Sequence, residues 1–328
     1  MKHQYALDGL GYRLRPICMS DAQFIIDVRL EDIERNRFIH PISNDISLQE
    51  KWLRQYFERD GDYYFVVENR VSGQKEGLIS FYDENNGKAE YGRWVMKKNS
   101  LAAIESILLL YRIAFEQAGL SELYCRTILD NTTVVSLHNS IGEKTRRILN
   151  GIFELNGNTY DAVEHYSDKT YFYQKIAPEL ERHANIIFKR NMRNAVGNFE
   201  FHHIGVATQS IDKELPNFIL MGYSKENTVF EDLEQGVRGL FLTAKHQPRL
   251  ELLENLPGSH TLDKFLSTGH KCVFYHMAYM VNDIEAAVKV FFNNRAKVIS
   301  KMKISTYFRK RICFMVLSNM DMIELIEI

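Results

Sequence analysis

The stretch FHHIGVATQSID, residues 201–212, sets two histidines on a short apolar run, and YHMAYMVNDIE, residues 275–285, sets another histidine on a second such run. His276 lies 73 residues after His203, and the offset holds well beyond the histidines. At the same offset Ile211 answers Ile284, Phe218 answers Phe291 and Arg238 answers Arg311. Phe241, Glu251 and Leu252 answer Phe314, Glu324 and Leu325. Matches at one fixed offset mark a duplication. Each copy reads as a strand, a helix (SIDKELPNFIL and DIEAAVKVFF) and then several strands. Two βαβββ units related by a pseudo-two-fold axis bring equivalent positions to one cavity.

The period of a strand puts His203, Gly205 and Ala207 on one face, and His276, Ala278 and Met280 on the corresponding face of the second copy. A small residue follows each histidine on its own face, which predicts a hollow beside the ring. Each copy also ends in a carboxylate on an apolar strand, and His203 to Glu251 spans the same 48 residues as His276 to Glu324. Burying four ionisable groups is expensive unless they have a common partner. Two imidazoles and two carboxylates facing one hollow suit a divalent metal with open coordination positions.

With 328 residues the chain has room for two domains. The net charge of −1 contains no basic block, which argues against a nucleic-acid partner. No run approaches 18 apolar residues and the N-terminus shows no leader-like apolar core, so a cytoplasmic protein without membrane segments is expected. Cys18, Cys125, Cys272 and Cys313 are scattered, and are read as reduced, half-buried thiols. The charged, amide-rich segment 176–198 reads as a helix ending at Gly197. The expected domains are therefore 1–177 and 199–328, joined by a helical linker over 178–198.

In the first half, YYFVVEN, EGLISFYDE and KAEYGRWVM read as strands. SLAAIESILLLYRIAFEQAG reads as a helix ending at Gly119, and ELYCRTIL as the strand after it. Strand, helix, strand implies a right-handed crossover, and so an α/β domain. A strand running into a helix N-terminus is also an anion site, with Asn99 or Ser100 as the expected cap.

Residues 200–328 resemble the vicinal-oxygen-chelate superfamily, with HHIGVA, VFEDLEQGVRGLFL, LELLENL, YHMAYMVNDIEAA and MIELIE in the order of methylmalonyl-CoA epimerase. The resemblance implies paired βαβββ modules. It places the metal ligands on His203, Glu251, His276 and Glu324, and it implies a divalent ion (zinc, nickel, cobalt, manganese or magnesium) that stabilises an enolate. The epimerases carry a glutamate base four residues after the glutamine of EQGV. That place is Gly239 here, which argues against methylmalonyl-CoA as substrate and leaves Glu324 as the candidate base.

Residues 11–175 resemble the GNAT acyltransferases, particularly those acting on nucleotide-linked amino sugars or ribosomal-protein-type amines. The resemblance rests on LRPICMSDAQFIIDVR, ISLQEKWLRQYFE, DYYFVVENRVSGQKEGLISFYDE and NTTVVSLHNSIGEK. It implies acetyl-CoA as donor, bound through Trp94, Val95, Met96, Asn99, Ser100 and Asn131. An amine would attack the thioester directly, with Glu90 as base and His138 as acid. KKNSLAA replaces the family's glycine-rich pyrophosphate loop, His138 its tyrosine, and Glu143 its phenylalanine.

The expected whole is a GNAT fold followed by a paired βαβββ domain, in a bifunctional enzyme of carbohydrate biosynthesis. It would join an N-acetyltransferase to a metal-dependent isomerase, epimerase or lyase, both acting on small molecules. A homodimer is compatible with this reading. The alternative makes one half a binding module or a degenerate acyltransferase.

Overall fold

Runs of β-branched and aromatic residues build the first sheet. Its strands are β1 (Leu7–Asp8), β2 (Tyr12–Pro16), β3 (Tyr63–Asn69), β4 (Lys75–Asn85), β5 (Lys88–Met96), β6 (Glu122–Ile128), β7 (Lys144–Leu155) and β8 (Asn158–Asp168). The order across the sheet is β1-β2-β3-β4-β5-β6-β8-β7. The computed structural model describes residues 2–267 and 269–328. Contacts divide the chain into two units, Met1–Asn191 and Met192–Ile328. Asn86–Gly87 and Asn156–Gly157 turn the β4–β5 and β7–β8 hairpins, all four residues at positive φ, as the tight two-residue turn requires.

Helices cover both faces of this sheet. On one face α1 (Ala22–Leu30) and α2 (Ile46–Phe57) bury Ile25, Val28, Leu53 and Tyr56 against Tyr64 and Val66. On the other, α3 (Ala103–Arg112) buries Ile107 to Tyr111 against Tyr12, Phe65 and Phe81. The α3 chain continues through a wider turn, Ile113–Gln117, and stops at Gly119 with φ 73°.

β5 and β6 are parallel, with α3 as the crossover between them. They pair at only three positions, the last being Glu90 with Tyr124. Beyond it β5 runs on to Met96 and β6 to Ile128 without pairing to each other. β5 stays on β4 across an irregularity between the Ser80–Gly92 and Leu78–Val95 pairs, and Arg93 takes a positive φ of 45° there. The two strands splay, and the opening is the mouth of a cleft. After β6 come α4 (Thr132–Ser140), a short α5 (Lys169–Tyr171) and the long α6 (Ala177–Val196), which ends at Gly197 with φ 71°.

The second sheet repeats itself. β9 (Phe199–Thr208), α7 (Ile211–Leu220), β10 (Ser224–Lys225), β11 (Phe230–Asp232), β12 (Val237–Thr243) and β13 (Leu250–Asn255) form the first copy. A short α8 (Asp263–Leu266) precedes β14 (Cys272–Val281), α9 (Ile284–Asn293), β15 (Lys297–Val298), β16 (Lys303–Ile304), β17 (Arg311–Val316) and β18 (Met322–Glu327). β9 and β14, and likewise α7 and α9, start at the predicted offset. The order is β10-β12-β13-β9-β14-β18-β17-β15, with β9 and β14 antiparallel at the centre. Each central strand pairs in parallel with the last strand of its own copy, β9 with β13 and β14 with β18. The predicted paired βαβββ architecture is the observed one.

Candidate active sites

In the first unit the splay of β5 and β6 opens a cleft of about 560 Å³. Of the residues singled out in the sequence, Glu90, Trp94, Asn131 and His138 line it. Val95 and Met96 do not, because their side chains turn into the two cores on either face of the sheet. Asn99 and Ser100 do not line it either, and the expected cap is corrected. The helix begins at Ala103 with Ala102 before it and no side-chain cap. Ser100 Oγ accepts from the Ala102 N–H at 3.1 Å and donates to Glu76 at 2.6 Å, and Asn99 sits at positive φ.

Glu90 is 8% exposed at the last β5–β6 pair, and Arg126 approaches its carboxylate at 3.2 Å. Burial pushes its carboxyl up to about 7, against the pull of Arg126. A carboxylate of that kind exchanges protons near neutral pH, as a general base must.

His138 lies inside the cleft and is 2% exposed. Its Nδ1 is 3.0 Å from the Glu143 carboxylate, which also accepts from the hydroxyls of Tyr91 at 2.6 Å and Tyr111 at 2.8 Å. Its Nε2 faces Cys125 Sγ at 3.6 Å. Burial disfavours the imidazolium, but Cys125 and Glu143 outweigh it and push His138 up to about 10. Glu143 is held below the usual carboxylate range: burial opposes the charge, and His138 and the two tyrosines overcome it. The sequence offered Glu143 only as a departure from a motif, and Cys125 only as a thiol. Cys125 is buried rather than half-buried, as is Cys313.

In the second unit the structure brings His203, Glu251, His276 and Glu324 together, all buried, with one donor atom of each within 4.8 Å of the others. His203 Nε2 lies 3.0 Å from Glu251, 3.2 Å from His276 Nε2 and 3.5 Å from Glu324. The register explains the convergence. Gly205 is paired with Glu251 on one side and His276 on the other, and Ala278 is paired with Glu324 and His203 in the same way. The two arrangements are images of each other. The small residues leave no hollow of their own, because the opposing imidazole fills the space: a Cβ at Gly205 would overlap the His276 ring.

The electrostatics are those of crowded buried donors. Burial holds His203 down at about 3 and His276 at about 4, and pushes Glu251 up to about 7 and Glu324 to about 8. Glu324 Oε2 and His276 Nδ1 have no hydrogen-bond partner among the described residues. His203 Nδ1 meets His202 at 2.7 Å, and His202 meets Arg249 at 2.8 Å, an outer shell that fixes the ring. Two neutral imidazoles, two carboxyls and an orphaned oxygen make a donor set that fits a divalent cation.

The space beside these donors is only about 10 Å³, close to one water-sized sphere. Phe230, Tyr307, Phe308 and Phe314 close it. Gly239, where the epimerase pattern has its glutamate, pairs with Phe230, and a Cβ there would strike the Phe230 ring.

Comparison with known families agrees with both architectures. Residues 12–144 match the acetyltransferase (GNAT) domain, and residues 202–314 the glyoxalase/bleomycin resistance protein/dioxygenase superfamily. The chain carries a GNAT acetyltransferase domain followed by a glyoxalase-type, vicinal-oxygen-chelate domain. Among solved structures it is similar to apo FdhC, described as a nucleotide-linked sugar GNAT, at 22% identity over 57% of this chain and 98% of that one, TM-score 0.44. It is similar to the spermidine/spermine N-acetyltransferase SpeG from Vibrio cholerae at 19% identity, over 51% and 98% of the two chains, TM-score 0.44. An acetyltransferase from T. thermophilus is 21% identical over 55% and 97%, TM-score 0.47. No curated protein matches the chain. No helix among the described residues is long and apolar enough to cross a membrane.

Proposed function

We propose that the first unit transfers an acetyl group from acetyl-CoA to the amine of a nucleotide-linked amino sugar, in the cytoplasm. The observation that carries this reading is Glu90, a buried carboxylate with a raised pKa at the point where β5 and β6 part. The thioester would lie along the free edge of β5 near Trp94–Met96, where backbone N–H groups polarise its carbonyl. Glu90 takes a proton from the acceptor ammonium, and His138 supplies one to the leaving sulfur. Asn131, at the start of α4, and the turn at Asn99–Ser100 are assigned to the CoA side.

The acceptor class follows from the lining. Arg29, Arg59, Arg93 and Arg126 face the cleft against Glu90 and Glu154. That balance suits a phosphate-bearing acceptor better than a polycation. Calorimetry with acetyl-CoA, followed by CoA release against nucleotide-linked amino sugars and spermidine, tests it. Turnover with the first and not the second is expected; the reverse would overturn the acceptor class.

For the second unit, we assign His203, Glu251, His276 and Glu324 as ligands of one divalent ion. Such an ion, when bound, polarises a substrate carbonyl and stabilises an enolate. Glu324 Oε2 is the group placed to take the neighbouring proton, as an isomerase, epimerase or lyase needs. A second reading, a binding module without chemistry, is favoured by the aromatic closure and by Gly239. Solvent deuterium appearing in a candidate keto or acyl substrate would decide for catalysis. We assign 1–177 to transfer, 178–198 to the linker and 199–328 to the ion.

A further inference from the structure

The last β5–β6 pair is Glu90 with Tyr124, so Cys125 is the first β6 residue beyond it. It lies at the apex of the splay, where a thioester on the free edge of β5 has to sit, and it lines the cleft. Its Sγ is 3.6 Å from His138 Nε2, and His138 Nδ1 is 3.0 Å from the buried Glu143 carboxylate. Glu143 is fixed in turn by the hydroxyls of Tyr91 and Tyr111. A thiol, an imidazole and an oriented carboxylate in series make up an activated nucleophile. Single-step transfer needs only a proton from His138. It gives no reason for a thiol against the ring, nor for a buried carboxylate with three donors behind it.

We propose that the acetyl group passes through Cys125, in two steps. The proposal rests on the cleft binding acetyl-CoA. In the first step Cys125 Sγ bonds to the thioester carbonyl carbon and the carbon–sulfur bond to CoA breaks. The proton shared by Cys125 and His138 leaves on the CoA sulfur, giving free CoA and an acetyl thioester on Cys125. In the second step the acceptor nitrogen bonds to that carbonyl carbon and the bond to Sγ breaks. The acceptor ammonium loses two protons: one goes to Glu90 and on to solvent, and the other returns to the Cys125–His138 pair. No oxidant or reductant enters.

The test uses the full chain with acetyl-CoA and no acceptor. The expected result is a burst of CoA stoichiometric with the chain and one acetyl group on the Cys125 peptide by mass spectrometry. The label should then move to an added amine acceptor. Cys125→Ala abolishes the adduct, and His138→Ala slows its formation by about 10²–10⁴-fold. Calorimetric binding of acetyl-CoA with no adduct overturns the relay and leaves the acyltransferase reading standing. So does a Cys125→Ala chain that turns over at the wild-type kcat. Failure to bind acetyl-CoA overturns both.

Discussion

The two units bury their ionisable residues to opposite ends. In the first, the sheet comes apart: β5 leaves β6 after Glu90, and a cleft of about 560 Å³ admits a substrate to the buried groups. In the second, the sheet stays closed: β9 and β14 remain paired, Gly205 and Ala278 let the imidazoles nest, and about 10 Å³ is left. Similar donors, histidine and glutamate, thus serve proton transfer in one place and ion capture in the other. Backbone pairing decides which. Each site is complete within its own unit, which makes the contrast open to experiment.

The largest expected effect is at Glu90. Glu90→Gln should lower acetyl transfer by about 10²–10⁴-fold while leaving acetyl-CoA affinity in place. A base must be deprotonated, so wild-type activity should rise with pH through about 7, where Glu90 titrates, and fall above about 10 as His138 loses its proton. The Gln variant should lose the lower limb. A pH–rate profile that keeps it would remove Glu90 from the mechanism.

Next comes the ion. Elemental analysis should find about one divalent ion per chain, and His203→Ala/His276→Ala should hold none. The third effect probes the register. Gly205→Ala drives a methyl into the His276 ring and should cost about 1–3 kcal/mol of stability, read by denaturant unfolding, together with weaker ion binding. Ala278→Gly, which adds no atom, should retain the ion. The smallest effect is protonic. Glu251 and Glu324 hold their protons up to about 7 and 8, so metal binding should release protons and weaken as pH falls through that range. Calorimetry in buffers of different ionisation enthalpy measures the release.

Much of the ion centre was legible in the sequence, because a duplication writes itself as an offset. His203, Glu251, His276 and Glu324 follow from matched spacings and strand periodicity alone. What the offset could not show is that Gly205 and Ala278 serve the opposing ring, since that depends on antiparallel register between the two copies. Nor could it show the aromatic closure, because Tyr307 and Phe308 have no special spacing. The cleft was less legible. Glu90 and His138 came from a family likeness, and Cys125 and Glu143 join them only through the place where two strands stop pairing. No local pattern encodes that point. The cap at Ser100 failed for a local reason: its hydroxyl is spent on Glu76 and on the Ala102 N–H, one turn early.

The division of labour between an open cleft and a sealed centre is tested most directly by removing the metal. Wild-type chain treated with a chelator, and shown by elemental analysis to be metal-free, should transfer acetyl groups at the rate of the untreated protein. If transfer disappears with the ion and returns when it is restored, the two sites are not separate.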